Sequence, residues 1–172
     1  TLVSTPRQDL RIIPADGHRV LRDVRDANDR ASDAKELSSQ ASTMRQGWAA
    51  AEQAQLARLD ANQQAAYQRL AQASESDGMA RAALALLLLE GKLTGGPTNK
   101  DGQTLLGALD LALTQPVASG VDAKAMVSDM IEEIAQPACI AQKERGTCAG
   151  TNTQIILAVI MPAEYARIVA GL

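Results

Sequence analysis

Two cysteines offer the most specific chemistry in this sequence. Cys139 and Cys148 are separated by eight residues, and the segment between them carries several charged residues and a glycine, which is typical of an exposed turn. Cysteines on either side of such a turn favour a local disulfide, and disulfides persist in oxidising compartments such as the periplasm or the extracellular space. The alternative is a pair of reduced cysteines in a cytosolic protein. We expect no zinc site, because His18 is the one histidine and no second pair of ligands lies nearby.

Histidine and carboxylates form no recognisable catalytic pattern. His18 lies in the first turn of a predicted helix, and the adjacent Glu132 and Glu133 point about 100° apart on a helix, so they do not share one site. Glu90 and Asp110 are further carboxylates that a fold could bring across a cleft. A small helical hydrolase with a carboxylate site is therefore an alternative, but we expect no catalytic residue and no cofactor.

Two other polar segments invite a ligand interpretation. The glycine-rich stretch 91–102 lacks the Gly-Lys-Ser/Thr ending of a phosphate-binding loop and follows no predicted strand, so it predicts a turn between helices. The acidic residues of 23–33 have helical spacing and no glycine at the calcium-loop position, which indicates a solvated helix face.

Composition and charge exclude several classes of protein. The chain has 172 residues, 32 of them Ala and 20 Leu, with no Phe and only 2% aromatic residues, which disfavours an all-β fold. Seventeen basic residues face 20 acidic ones, a net charge of −3, so no nucleic-acid partner is expected. No apolar run is long enough to predict a membrane span. We expect an all-α protein of one domain, residues 1–172.

The first half of the chain carries a heptad-like seam. Small or apolar residues recur in steps of three and four from Val20 to Ala51, which predicts an Ala-rich helical arm over residues 14–75. Ser42, Thr43 and Gly47 mark a place where the arm could fold into an antiparallel hairpin. A continuous arm would instead need a partner over its seam, and a homodimer through that seam is one such partner.

The second half, residues 77–172, predicts a compact helical core packed beside the arm. Helices are expected over 79–89, over 103–114, after Asp122 and after Pro162. Residues 154–161 are apolar and β-branched enough for a strand. We predict a buried helix there, because only residues 10–13 offer a pairing strand.

One segment of that half resembles a known repeat. Small and large residues follow the helical steps of a Sel1-like repeat, a relative of the tetratricopeptide hairpins, over residues of about 80–113: Ala80, Leu84, Ala85, Leu88 and Gly91, then Asp101, Leu105, Ala108 and Ala112. Leu88 replaces the family's usual aromatic residue, and the loop after Gly91 is longer than the family's. The resemblance implies stacked α-hairpins that present a surface to a protein or peptide partner.

These features together favour a non-enzymatic protein–protein interaction module, an exported bacterial scaffold of the envelope or of a secretion machine. Arg outnumbers Lys by 12 to 5, which is typical of a GC-rich genome, and the first residue, Thr1, is compatible with a removed export signal. Small size, acidity and a disulfide equally suit an immunity or inhibitor protein that neutralises a toxin. We expect a periplasmic or secreted protein with a protein partner.

The predicted disulfide is tested by counting thiols. The chain unfolded in denaturant without reductant should show no free thiol, and two after reduction, because Cys139 and Cys148 are joined in the native protein. Closing so short a loop contributes about 2–3 kcal/mol, so reduction should also lower the denaturation midpoint. Two free thiols before reduction would remove the argument for an oxidising compartment.

Overall fold

The computed structural model describes residues 34–137, 140 and 148–172, and within them the chain is all helical. Its helices are α1 (Ala34–Leu56), α2 (Ala61–Ala73), α3 (Gly78–Leu89), α4 (Leu105–Thr114), α5 (Ala123–Ala135), α6 (Cys148–Ile160) and α7 (Pro162–Ala170). No strand occurs in this part of the chain, and the all-α prediction is confirmed.

Short polar side chains begin most of these helices. Asp60, Asp77, Thr104 and Asp122 each accept hydrogen bonds from backbone N–H groups in the first turn of α2, α3, α4 and α5. These N–H groups have no partner within the helix, so each cap satisfies donors that burial would otherwise leave open. Gly171 ends α7 in the left-handed conformation, which glycine adopts without a steric penalty.

The first turn in the described part of the chain lies at residues 57–60 and not near 42–47, so the predicted position of the hairpin is wrong. Helix α1 runs without interruption through Ser42, Thr43 and Gly47. Glycine in a helix costs about 1 kcal/mol relative to alanine. The opposite face of α1, with Ala41 and Trp48 buried against the core, offsets that cost.

Helix α3 lies at the centre of the fold. Every residue from Met79 to Leu89 is buried, as expected of a helix that is apolar all round. Helices α1 and α5 pack against α3, whereas α4 packs on α7, α2 and α5. The helices of the predicted arm and of the predicted core therefore share one hydrophobic cluster.

The heptad seam from Ala41 to Ala51 is covered within the chain. Ala41 and Trp48 are buried, and Met44 and Ala51 pack against the core beside them, on the helix that contacts α3. The preceding seam positions, from Val20 to Ala31, lie outside the described residues, and so do His18, the acidic residues of 23–33 and Cys139 of the predicted Cys139–Cys148 disulfide.

Residues 154–161 are helical through residue 160, as predicted, but the prediction that this helix is buried is wrong on one face. Ala158 of α6 is buried, whereas Ile156, Val159 and Ile160 are 54%, 62% and 61% exposed. Helix α6 packs mainly on α7 and to a lesser extent on α5, so its remaining face has no neighbour among the described residues.

Helix length and polarity bear on the expected absence of a membrane span. Among the helices described, none combines the length and the apolar character that crossing a bilayer requires.

Candidate functional site

Large apolar side chains are exposed almost exclusively on the last two helices. Of the seven such residues in the described part of the chain, six belong to α6, α7 or their junction, and we call them the α6–α7 apolar surface: Ile156, Val159, Ile160, Met161, Ile168 and Val169. The seventh, Val121, lies in the loop between α4 and α5. Single exposed apolar residues are ordinary, but a concentration of them marks a surface that contacts something else.

A groove of about 500 Å³ borders this surface. Its walls are residues 134–137 at the end of α5, residues 158–160 at the end of α6, and Lys92 with residues 95–97 from the loop after α3. The exposed side chains of Val159 and Ile160 thus belong both to the apolar surface and to the groove. The volume is in the range of ordinary ligand pockets, and most of the lining is apolar.

The loop wall of the groove is held in place by its own backbone. Leu93 is fully buried, and its carbonyl accepts a 2.8 Å hydrogen bond from the N–H of Leu106 at the start of α4. The N–H of Gly95 donates to the carbonyl of Gly91, and a Cβ at Gly95 would lie only 2.8 Å from that oxygen. Glycine at position 95 is therefore required for this close approach.

The second half of the same loop is organised by a buried asparagine. The Oδ1 atom of Asn99 accepts hydrogen bonds from the N–H groups of Asp101 and Gln103, and its Nδ2 donates to Gln103 Oε1. Stretch 91–102, predicted to be a turn between helices, is thus an ordered turn. The N–H groups of Asp101 and Gln103, which a phosphate-binding loop would direct at a ligand, donate to the Asn99 side chain.

A carboxylate of α7 fastens this turn to the rest of the fold. Glu164 accepts a 3.0 Å hydrogen bond from the N–H of Lys100 and is also bound by the guanidinium group of Arg167. These hydrogen bonds, first from Arg167 and then from Lys100, lower the pKa of Glu164 to about 2. The ionised carboxylate of Glu164 therefore joins the 91–102 turn to α7.

A buried charged cluster joins α1, α2 and α3. Glu52 Oε1 accepts hydrogen bonds from Arg81 Nη2 at 2.5 Å and from the Tyr67 hydroxyl at 2.8 Å. Arg81 also donates to the Tyr67 oxygen, and its Cζ lies 5.5 Å from the centre of the ring. Arg45 adds a second positive charge, with its Nε 3.5 Å from Glu52 Oε2.

The centre of the cluster is shielded from solvent, whereas Arg45 at its edge is partly exposed. Glu52, Tyr67 and Arg81 are 3%, 1% and 7% exposed. Burial raises the pKa of the Tyr67 phenol well above its usual range, so the hydroxyl stays protonated and serves as a donor. A buried charge is tolerated only when it is paired, which explains why three helices contribute to one cluster.

Three of the four carboxylates singled out in the sequence are held by other side chains. Asp110 is bound by both nitrogens of the Arg69 fork at 2.7 Å, which ties α4 to α2. Glu90 pairs with Lys92 at 2.9 Å. On α5, Glu133 accepts a hydrogen bond from the Tyr165 hydroxyl of α7. These contacts link helices or neighbouring residues, and no pair of the predicted carboxylates is seen facing another across the groove that borders α6.

Metal ligands and similar proteins complete the description of the site. Among the residues described, no group of three or more His, Cys, Asp and Glu side chains is placed to hold a metal ion. Comparisons with known protein families, with curated proteins and with solved structures find no match to this chain. The Sel1-like resemblance, whose two helices would be α3 and α4, stays a prediction. Helix α3 packs mainly on α1 and α5, and α4 packs mainly on α7 and α2.

Sequence reasoning missed both the charged cluster and the groove. Glu52 and Arg81 lie 29 residues apart, and nothing in their spacing pairs them. One signal was present: Arg81 is the single charge within the apolar run of α3, and such a residue needs a buried partner.

Removing one partner of the buried cluster should cost more than removing the pair. We expect Glu52→Gln to lower the free energy of unfolding by about 3–5 kcal/mol, because it leaves Arg81 buried without a counter-charge. The double variant Glu52→Leu/Arg81→Met should recover most of this loss. Urea unfolding followed by the fluorescence of Trp48 measures both. Asp110→Asn, at the more exposed Arg69 pair, is the control and should change stability much less. A double variant less stable than the single one would contradict this account.

The turn contact of Glu164 should make stability depend on pH in the acid range. The pKa of Glu164 falls from the usual 4.5 to about 2 on folding, so its contribution is complete above pH 4.5 and is lost as the pH falls toward 2. We expect Glu164→Gln to be less stable than the natural chain at pH 6 and equally stable near pH 2, as measured by thermal unfolding. Arg167→Met should reduce the same pH dependence. A difference that stays constant from pH 6 to pH 2 would contradict the assignment.

Proposed function

We propose that this chain is a non-enzymatic protein–protein interaction module that holds a partner on the α6–α7 apolar surface and in the groove beside it. The observation that carries the proposal is the concentration of six exposed large apolar side chains in residues 156–169, next to a groove with mainly apolar walls. Soluble proteins expose such a surface where another molecule covers it.

Affinity at such a site comes from removing apolar side chains from water. Ile156, Val159 and Ile160 are each more than half exposed, and covering each one contributes about 1 kcal/mol. The groove, of about 500 Å³, has room for a few side chains of a partner helix or extended segment. Lys92 adds one charged side chain to this mainly apolar lining.

The contacts behind the groove support a preformed site. Asn99 holds the turn, and Glu164 fastens that turn to α7, so the loop wall does not have to be ordered when a partner binds. A preorganised surface loses less conformational entropy on association than a flexible one.

An exported scaffold of a bacterial envelope or secretion machine is the setting that we propose for this module. The support is in the sequence: two cysteines on either side of a short polar segment favour an oxidising compartment. The heptad-like spacing of residues 20–31, which precede α1, suits a protein that joins others in an assembly.

A matched pair of surface variants tests the module. Tagged natural chain, Ile160→Glu and Val121→Glu are used to capture proteins from the native extract, with recovery quantified by mass spectrometry. Ile160 and Val121 are 61% and 44% exposed, so both variants should fold, which circular dichroism checks. We expect Ile160→Glu to lose at least one partner by about tenfold or more, whereas Val121→Glu retains it. Equal recovery by all three chains would refute this surface as the binding site.

A further inference from the structure

Helix α6 is distinguished by its lack of charge. It is the one described helix with no Asp, Glu, Lys or Arg, although each of the other six carries at least one. Burial does not explain this composition, because Asn152, Ile156, Val159 and Ile160 are all exposed. A surface helix normally has charges on its exposed face, so this face is adapted to contact apolar or neutral atoms.

The exposed face of α6 has the geometry of a helix-packing ridge. Asn152, Ile156 and Ile160 are spaced by four residues and form one row, with Val159 beside it. Rows of this spacing on two helices interdigitate at a crossing angle of about −50°, the most common packing of helices in globular proteins. The β-branched side chains have few rotamers, so little freedom is lost when the row is covered.

We infer that the partner on the α6–α7 apolar surface is a second copy of this chain, and that α6 packs against α6 of that copy across a two-fold axis. This inference rests on the proposed function, since it names the partner of the same surface. A two-fold axis places the same patch on both sides of the contact. The row on α6 of one copy would therefore pack against the same row on α6 of the other copy.

Charge favours a second copy over an unrelated protein. Each chain carries a net charge of −3, so two copies repel each other least when they meet through uncharged surfaces. Selection among different partners generally uses complementary charges, and the exposed row of α6 offers none. A neutral face on an acidic protein is therefore suited to its own copy.

The exposed area is sufficient for a small stable dimer. The exposed fractions of the six residues of the α6–α7 apolar surface correspond to roughly 500–600 Å² per chain. Two copies would cover roughly 1,000–1,200 Å² before any polar rim is included, and specific interfaces begin at about 1,000 Å².

Sedimentation of the whole chain between about 1 and 100 µM tests the inference, with Val159→Lys and Val121→Lys as matched variants. We expect a dimer for the natural chain and for Val121→Lys. For Val159→Lys we expect a dimer dissociation constant at least about a hundredfold higher, because two lysines would face each other at the interface. Mixing Val159→Lys with Val159→Glu should restore a dimer that contains one copy of each. Circular dichroism confirms that the variants are folded.

The outcomes separate this inference from the proposed function. A natural chain that is monomeric at 100 µM overturns the dimer, and the function then stands only if Ile160→Glu loses another protein in the capture experiment. A dimer that persists in Val159→Lys also overturns the inference and indicates association elsewhere, such as the heptad seam. Loss of the dimer in Val121→Lys, or no mixed dimer from the two charged variants, refutes the α6 pairing.

Discussion

The complete burial of α3 is the constraint on which the other helices depend. Eleven consecutive residues, Met79 to Leu89, are withdrawn from water, so neighbours must surround the helix on all sides. Arg81 lies inside this run, and its charge is acceptable there only with an opposite charge beside it. Glu52 of α1 and Tyr67 of α2 supply that partner and a further hydrogen bond, which ties the first three helices together.

The packing around α3 also explains why α6 is left with an open face. Helices α1 and α5 cover α3, and α4 is covered by α2, α5 and α7, whereas α6 adds Ala158 to the buried core from one side. Helix α6 packs from outside, mainly on α7, and its β-branched residues on the far side stay in contact with water. The groove forms where the end of this helix meets α5 and the loop after α3. The α6–α7 apolar surface therefore lies at the periphery of the core.

Local features of the fold could be predicted well from the sequence. Helix ends depend on neighbouring residues alone, so the sequence is enough to predict them. Examples are the caps at Asp77 and Asp122, the helix end before Pro116 and the helix start at Pro162. The turn at residues 57–60 was harder to predict, because Gly47 and the pair Ser42-Thr43 have lower helix propensity and indicated an earlier break. Packing of Ala41 and Trp48 kept α1 continuous there, and that contact involves a helix about 40 residues away.

What the amino-acid sequence determined by itself is the all-α class, the alanine-rich composition of the seam and the uncharged composition of α6, since each follows from residue type and helical period. Only the tertiary structure decided which apolar face stays in water, that Glu52 neutralises Arg81, and that the 91–102 turn forms a wall of the groove. The physical reason is that burial and pairing are properties of distant residues brought together. Periodicity assigns a residue to a face of its helix, but the neighbouring helices determine whether that face is covered.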